Sequence, residues 1–148
     1  MILKFLFSKL QNYGTKVAMT LESLTAISPL DGRYRTRTGD LSDLVSEFGL
    51  IRLRVEVMIQ WFIHLANETS IENATKLDPA TEDQCRDIWR HFNIDDARTV
   101  QAIESEINHD VKAVEYFVKN KLQDLGLEEC IEFVHFACTS EDVNNLAY

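Results

Sequence analysis

Turn-forming residues are scarce in this chain. It has 2 Pro and 5 Gly in 148 residues, far fewer than a sandwich or barrel of many short strands needs at its turns. Cysteine offers no framework either. Cys85, Cys130 and Cys138 form an odd, scattered set with no CxxC pair, which fits neither a disulfide scaffold nor a zinc site. They read as small buried hydrophobes in a reducing compartment. No apolar run reaches the length of about 18 residues that a transmembrane helix requires. What remains is 45% hydrophobic and 26% charged, the composition of a globular chain rather than a disordered one. The length suits one domain, or one part of a larger one, and the shortage of turns favours long helices.

Basic charge is also in short supply, and it is unevenly placed. Lys4, Lys9 and Lys16 give residues 1–18 a charge of +3 with no acid, while residues 19–148 hold the other 12 basic and all 24 acidic residues, a charge of −12. A body this acidic repels a phosphate backbone, which argues against nucleic acid as a partner. One small anion held by a local basic cluster is still allowed. The opening MILKFLFSKLQNYGTKVAM puts a lysine inside a short apolar run and has a poor small-residue cleavage pattern, so it does not read as a secretory signal. Met19 offers a second start, and residues 1–18 are expected to be an extension outside the fold.

Along the rest of the chain, residues 26–39 (AISPLDGRYRTRTG) read as a polar loop crowded with Arg33, Tyr34, Arg35 and Arg37. A helical region follows over 41–66, with Gly49 as a candidate break. Its second part, LIRLRVEVMIQWFIHLA, is apolar on most faces and predicts a buried helix that needs more cover than this chain easily supplies. Residues 67–77 read as a loop, after which Asp78-Pro79 supplies an N-cap and a first-turn proline for a helix to about His91. The spacing Val100, Ile103, Ile107, Val111, Val114, Val118, Leu122 predicts one helix from about Asp95 to Leu125, stopped at Gly126. A shorter helix over 127–137 comes next. Thr139 and Asp142, at capping-box spacing, open another. His64 and His91 lack polar company and read as structural, and Trp61 and Trp89 read as core.

Four groups of residues could carry chemistry. Glu106-x-x-His109 and Glu132-x-x-His135, with Glu56 as a further carboxylate, match the way helical bundles hold two metal ions; chance in a glutamate-rich helical chain is the competing explanation. Asn108-His109-Asp110 sets three hydrogen-bonding side chains beside an apolar stripe, either as a proton-handling group or as a satisfied polar triplet. Thr139-Ser140-Glu141-Asp142 is either an ordinary cap or, through free N–H groups, dipole and hydroxyls, an anion site. Arg33-Tyr34 can grip a phosphate or be a solvated basic loop.

Taken in order, SLTAISPLDGRY, SEFGLIRLRVEV, INHDVKAVEYFVK and FVHFACTSEDVNNLAY resemble the adenylosuccinate lyases of the fumarase/aspartase superfamily, in the bacterial subgroup marked by SPxDGRY. The resemblance covers about residues 20–148, and TSEDVNN resembles the first of three active-site segments in that superfamily. It implies an all-α fold, with residues 19–138 as the N-terminal helical domain and 139–148 as the first active-site segment and the start of a central bundle domain. It implies a cytoplasmic homotetramer with no metal or organic cofactor, no nucleic-acid partner and no membrane. The implied reaction is β-elimination of fumarate from adenylosuccinate to give AMP, and from the related succinyl-carboxamide ribotide, in purine synthesis.

Carried over residue by residue, Arg33 and Tyr34 match a nucleotide-binding pair, Asn108, His109 and Asp110 a substrate-binding triplet, and Thr139 and Ser140 the pair that binds the succinyl end. His109 is the candidate for an auxiliary proton-handling or electrostatic role. The family's catalytic histidine and its mobile serine loop belong to segments outside these 148 residues, so the chain by itself is expected to be inactive. A non-enzymatic helical interaction module presenting the 50–66 face, or a two-metal helical bundle, are the alternatives.

Overall fold

In a computed structural model the described residues are 22–68, 71 and 76–148, so the expected extension over 1–18 lies outside them. Every regular element among the described residues is helical, in agreement with the all-α expectation. The chain divides into two compact units, one ending at Asp40 and the other covering Leu41–Tyr148.

In the first unit, residues 26–39 are tighter than a loop. They form successive turns and one helical turn, α1 (Arg35–Thr38). Tyr34 N–H donates to the Pro29 carbonyl at 2.9 Å, and the Thr38 hydroxyl donates to the carbonyls of Leu30 and Tyr34, each at 3.2 Å. Asp31 pairs with Arg35. Gly32 is required by close approach: a Cβ there would sit 2.4 Å from the Ser23 carbonyl oxygen.

The second unit is built around one helix. After the short α2 (Ser42–Val45) the chain breaks at Ser46 and continues as α3 (Glu47–Ala66). The break expected at Gly49 therefore falls three residues earlier. Ser46 is extended, with φ −83° and ψ 168°, and its hydroxyl accepts from Gly49 N–H at 3.1 Å, a side-chain N-cap. Gly49 lies inside the helix, and glycine is required there because the Asp43 carbonyl oxygen would lie 2.6 Å from a Cβ. Helix α3 packs against every other helix of the unit, burying Ile51, Val55, Met58, Ile59, Phe62 and Ile63.

The end of α3 is clamped to the next helix. Asn67 accepts from Leu77 N–H at 3.0 Å and donates to Glu82 at 2.7 Å, closing the 67–77 connection, part of which lies outside the described residues. Helix α4 (Pro79–Arg90) starts as its sequence predicts: Asp78 accepts from the N–H groups of Ala80 and Thr81.

The single helix expected over 95–125 is two helices. Helix α5 (Ile94–Ile107) ends at Asn108, whose φ of 55° and ψ of 42° are left-handed, and α6 (Asp110–Asp124) starts at His109. The two run antiparallel, since Asp96 near the start of α5 pairs with Lys121 near the end of α6 at 3.1 Å. The apolar spacing runs through the turn because both helices present their stripe to the same core. Asn108 is the physical reason for the turn, being one of the few residues that enter the left-handed region at low cost. Phe48 on α3, Phe92 in the connection before α5 and Phe117 on α6 contact one another in sequence, with centroids 5.7 and 5.6 Å apart.

Residues Glu128–His135 are 3-10 turns rather than an α-helix. They are tied to α6 by Lys119, which reaches Glu132 at 2.8 Å and the buried Glu115 at 3.1 Å. Ala137 then adopts a positive φ of 58°, and α7 (Ser140–Ala147) begins at Thr139.

Candidate functional site

Two helix starts carry most of the residues singled out by sequence, and they are capped by different chemistry. At α6 the cap is the imidazole itself: His109 Nδ1 accepts from Lys112 N–H at 3.1 Å. An acceptor nitrogen carries no proton, so this ring is the Nε2–H tautomer with that donor pointing away from the cap. At α7 the Asp142 carboxylate accepts from Thr139 N–H at 2.7 Å and from the Thr139 hydroxyl at 2.8 Å. These two donors hold Asp142 below its ordinary value of 3.8. The Thr139 hydroxyl is therefore engaged in the cap, whereas the neighbouring Ser140 is half-buried and makes no side-chain hydrogen bond among the described residues.

The two starts are joined by a residue that the sequence reading passed over. Arg54, on α3, is 5% exposed. Its Nη2 lies 2.8 Å from Asp110 Oδ2, and its Nε donates to Asn144 Oδ1 at 3.0 Å. Burial pushes the Asp110 carboxyl upward, but the Val111 N–H and the Arg54 guanidinium outweigh it and hold the group below 3.8. The other Asp110 oxygen sits 3.8 Å from His109 Nδ1, outside hydrogen-bond range.

A signal for Arg54 exists in the sequence. It stands three residues after Ile51 and four before Met58, on the stripe that faces the core. A charge there must be paired to be tolerated. Asn144 had no comparable signal, since its partner is 90 positions away.

Asn108, His109 and Asp110 thus come together as one turn, and Arg54 links that turn to the helix that starts at Thr139 and Ser140. Arg33 and Tyr34 belong to the other unit. There Arg33 lies over the Tyr34 ring, 5.9 Å from its centroid, and both side chains are exposed.

The two Glu-x-x-His patterns do not become matched helical pairs. Glu106 belongs to α5 while His109 opens α6. Glu132 is held by Lys119, and His135 Nδ1 lies 3.1 Å from Cys138 Sγ. Among the described residues no group of three or more His, Cys, Asp or Glu could hold a metal ion.

Cys85 and Cys130 are buried, as expected of small hydrophobes, and burial pushes the Cys85 thiol up to about 11. Cys138 departs from that expectation, being half-exposed and in contact with His135. Trp61, expected in the core, departs from its expectation as well, whereas His64 lies on the packed helix as expected. His64 is exposed, and both line an apolar groove of about 720 Å³ between α3, residues 134–138 and α7, with Glu56 and Asp142 among its polar walls. The Trp61 indole N–H donates to the Phe136 carbonyl at 2.8 Å. No helix among the described residues is long and apolar enough to cross a membrane.

Comparison with known proteins gives this geometry a family. The chain is 47% identical over 131 residues to the adenylosuccinate lyase of Legionella pneumophila (strain Corby), 49% to that of Buchnera aphidicola subsp. Schizaphis graminum and 43% to that of Escherichia coli (strain K12). In each case the match takes in 88% of this chain and 29% of the relative, so the chain spans under a third of the length of these curated relatives. The family model described as lyase matches residues 32–148, which is most of the sequence and all of the second unit, and the chain belongs to the lyase family.

Proposed function

We propose that the chain contributes part of the substrate site of an adenylosuccinate lyase, the enzyme that eliminates fumarate from adenylosuccinate to leave AMP and from the succinyl-carboxamide ribotide. The observation that carries this reading is the pairing of the Asn108–Asp110 turn with the Thr139–Ser140 helix start through one buried arginine, in a chain 43–49% identical to enzymes of that name.

The chemistry suits the substrate. Elimination takes a proton beside a carboxylate and protonates a departing nitrogen. It also needs fixed donors for the charge that develops. The start of α7 offers the Ser140 hydroxyl and unpaired N–H groups to a succinyl carboxylate. His109 offers its Nε2–H at a turn tied to α3 through the Arg54–Asp110 pair. Arg33 and Tyr34 are the proposed phosphate contacts, with a guanidinium that can bind bidentately. In this reading residues 139–148 are the first active-site segment, residues 19–138 the helical domain before it, and the assembled enzyme is a cytoplasmic homotetramer working without cofactor on small molecules.

The test is fumarate release from adenylosuccinate, with these residues substituted in the assembled enzyme. Ser140→Ala and His109→Gln each lower kcat/KM by at least about tenfold, as loss of a donor to a charged group requires. Arg33→Ala raises KM by a similar factor. The 148-residue chain alone releases no fumarate, since the proton-transfer segments implied by the resemblance are not among its residues. Unchanged kinetics in all three variants overturn the assignment.

The groove along α3 favours a second reading, an interaction module that presents the Leu53–Val57–Trp61 face. Full lyase activity in an assembled enzyme carrying Trp61→Ala and Val57→Ser, with loss of a helical partner, would favour it.

A further inference from the structure

The arrangement around Arg54 asks why a full charge is kept on the core face of a central helix. Burial of a guanidinium is costly unless it is paired and hydrogen-bonded. Its two contacts are specific: one to Asp110, the neighbour of His109, and one to Asn144, on the helix that Thr139 and Ser140 open. No ion pair among the described residues other than those of Arg54 and Lys119 involves a cationic side chain less than a fifth exposed.

We propose that Arg54 is a positioning residue that sets the tautomer of His109 and the seat of the Thr139–Ser140 helix start at the same time. The reasoning follows the proton. Asp110 is sequence neighbour to His109 and has an oxygen 3.8 Å from Nδ1. A free carboxylate at that distance would close in and take an N–H from Nδ1, giving the Nδ1–H tautomer and ending the cap to Lys112. Arg54 prevents this by holding the opposite oxygen at 2.8 Å. Nδ1 is thereby left as an acceptor for Lys112 N–H, and the donor of the neutral ring is Nε2–H, facing outward.

On its other side the Arg54 Nε–H fixes the Asn144 side-chain oxygen, one helical turn or so beyond Ser140, and so fixes the rotation of α7 about its axis. One planar guanidinium with donors in two directions can serve both segments; a lysine ammonium, a compact point charge on a flexible stem, can hold Asp110 but not both in a fixed fork. What the site is for rests on the lyase reading above, while the positioning itself does not.

The experiment is nitrogen NMR of the imidazoles in the 148-residue chain, at mildly alkaline pH. In the parent chain His109 shows the Nε2–H pattern, and the Lys112 amide has the shift of a bonded N–H. Arg54→Met moves His109 to a predominantly Nδ1–H pattern and releases the Lys112 amide and the Asn144 side-chain amide. Arg54→Lys keeps the His109 pattern and loses only the Asn144 effect. This second variant retains the charge and serves if Arg54→Met does not fold.

Lys121→Met, which breaks the Asp96 pair at the far end of the α5–α6 hairpin and makes the same change in charge, leaves all three signals in place. A folded Arg54→Met with the parent His109 pattern overturns the proposal, as does an Arg54→Lys that loses the His109 pattern or a Lys121→Met that shifts the signals equally. None of these signals needs substrate. A normal NMR outcome beside enzyme variants with unchanged fumarate release sinks the lyase reading and leaves Arg54 its role; the reverse outcome does the opposite.

Discussion

The starts of α6 and α7 solve the same problem with different materials. Each must satisfy N–H groups left open at a helix end. At α7 a carboxylate three residues into the helix reaches back to Thr139, so the cap is an anion, and Ser140 is left out of it. At α6 the cap is the neutral ring of His109, with the adjacent Asp110 carboxylate held off by Arg54. The first cap is local, legible in four consecutive residues. The second depends on an arginine from another helix. The lesson is that a helix cap made of a titratable side chain keeps that side chain in one protonation pattern only when something outside the segment controls its neighbours.

Breaking the shared link has the largest effect. Arg54→Met leaves Asp110 and Asn144 without their partner and lowers stability by about 2–3 kcal/mol in urea unfolding, as expected when a hydrogen-bonded charge is removed from a buried site. It acts on both helix starts. Next is the turn that separates α5 from α6. Asn108→Val forces a β-branched residue to the left-handed conformation and costs about 1–2 kcal/mol, while Asn108→Gly is tolerated; equal stability of the two would show that the turn does not need a left-handed residue.

Thr139→Ala touches α7 alone. It costs about 1 kcal/mol, the usual worth of a hydroxyl cap, and leaves the His109 nitrogen pattern unchanged, whereas Arg54→Met changes it.

The smallest effect is in acid. Asp110 and Asp142 both sit below the unfolded value of 3.8, and Glu82 and Glu115 below 4.5. For a carboxylate lowered on folding, the stabilising contribution is complete above the unfolded value and is lost as pH falls through the folded one. Unfolding free energy is therefore flat from neutral pH down to about 5 and falls below about 4. Arg54→Met flattens that decline by removing one cause of the Asp110 shift, and Thr139→Ala flattens it less because the Thr139 N–H remains. A decline beginning near pH 6 would place the responsible groups elsewhere.

Much of this protein could be read from its residues, for identifiable reasons. Asp78-Pro79 and Thr139 with Asp142 opened helices where expected because caps are short-range chemistry carried by side chains within four residues. The apolar run after Gly49 became the central helix because no other arrangement hides it. The sequence pattern failed at Asn108–His109. An antiparallel pair that packs both helices on one core keeps the spacing of three and four going, so periodicity registers no turn there. Gly49 misled for a related reason: a glycine inside a helix can mark close packing as well as a break, and only the 2.6 Å approach of the Asp43 carbonyl separates the two.

The candidate site divides along the same line. Its residue types at 108–110 and 139–140 were visible from resemblance and local pattern, as were Arg33 and Tyr34 in the other unit. Which hydroxyl is spent in a cap, which imidazole nitrogen is the donor, and which cation joins the segments were not.

By itself, then, the sequence determined an acidic, helical chain of the lyase family with its caps and apolar stripes in place, because propensity, capping and periodicity act over a few residues. The tertiary structure decided that the stripe folds back at Asn108, that Arg54 is paired rather than exposed, and that His109 is held in one tautomer. Each of those depends on groups brought together from positions 56 to 90 residues apart or from opposite ends of a hairpin, where only packing specifies who meets whom.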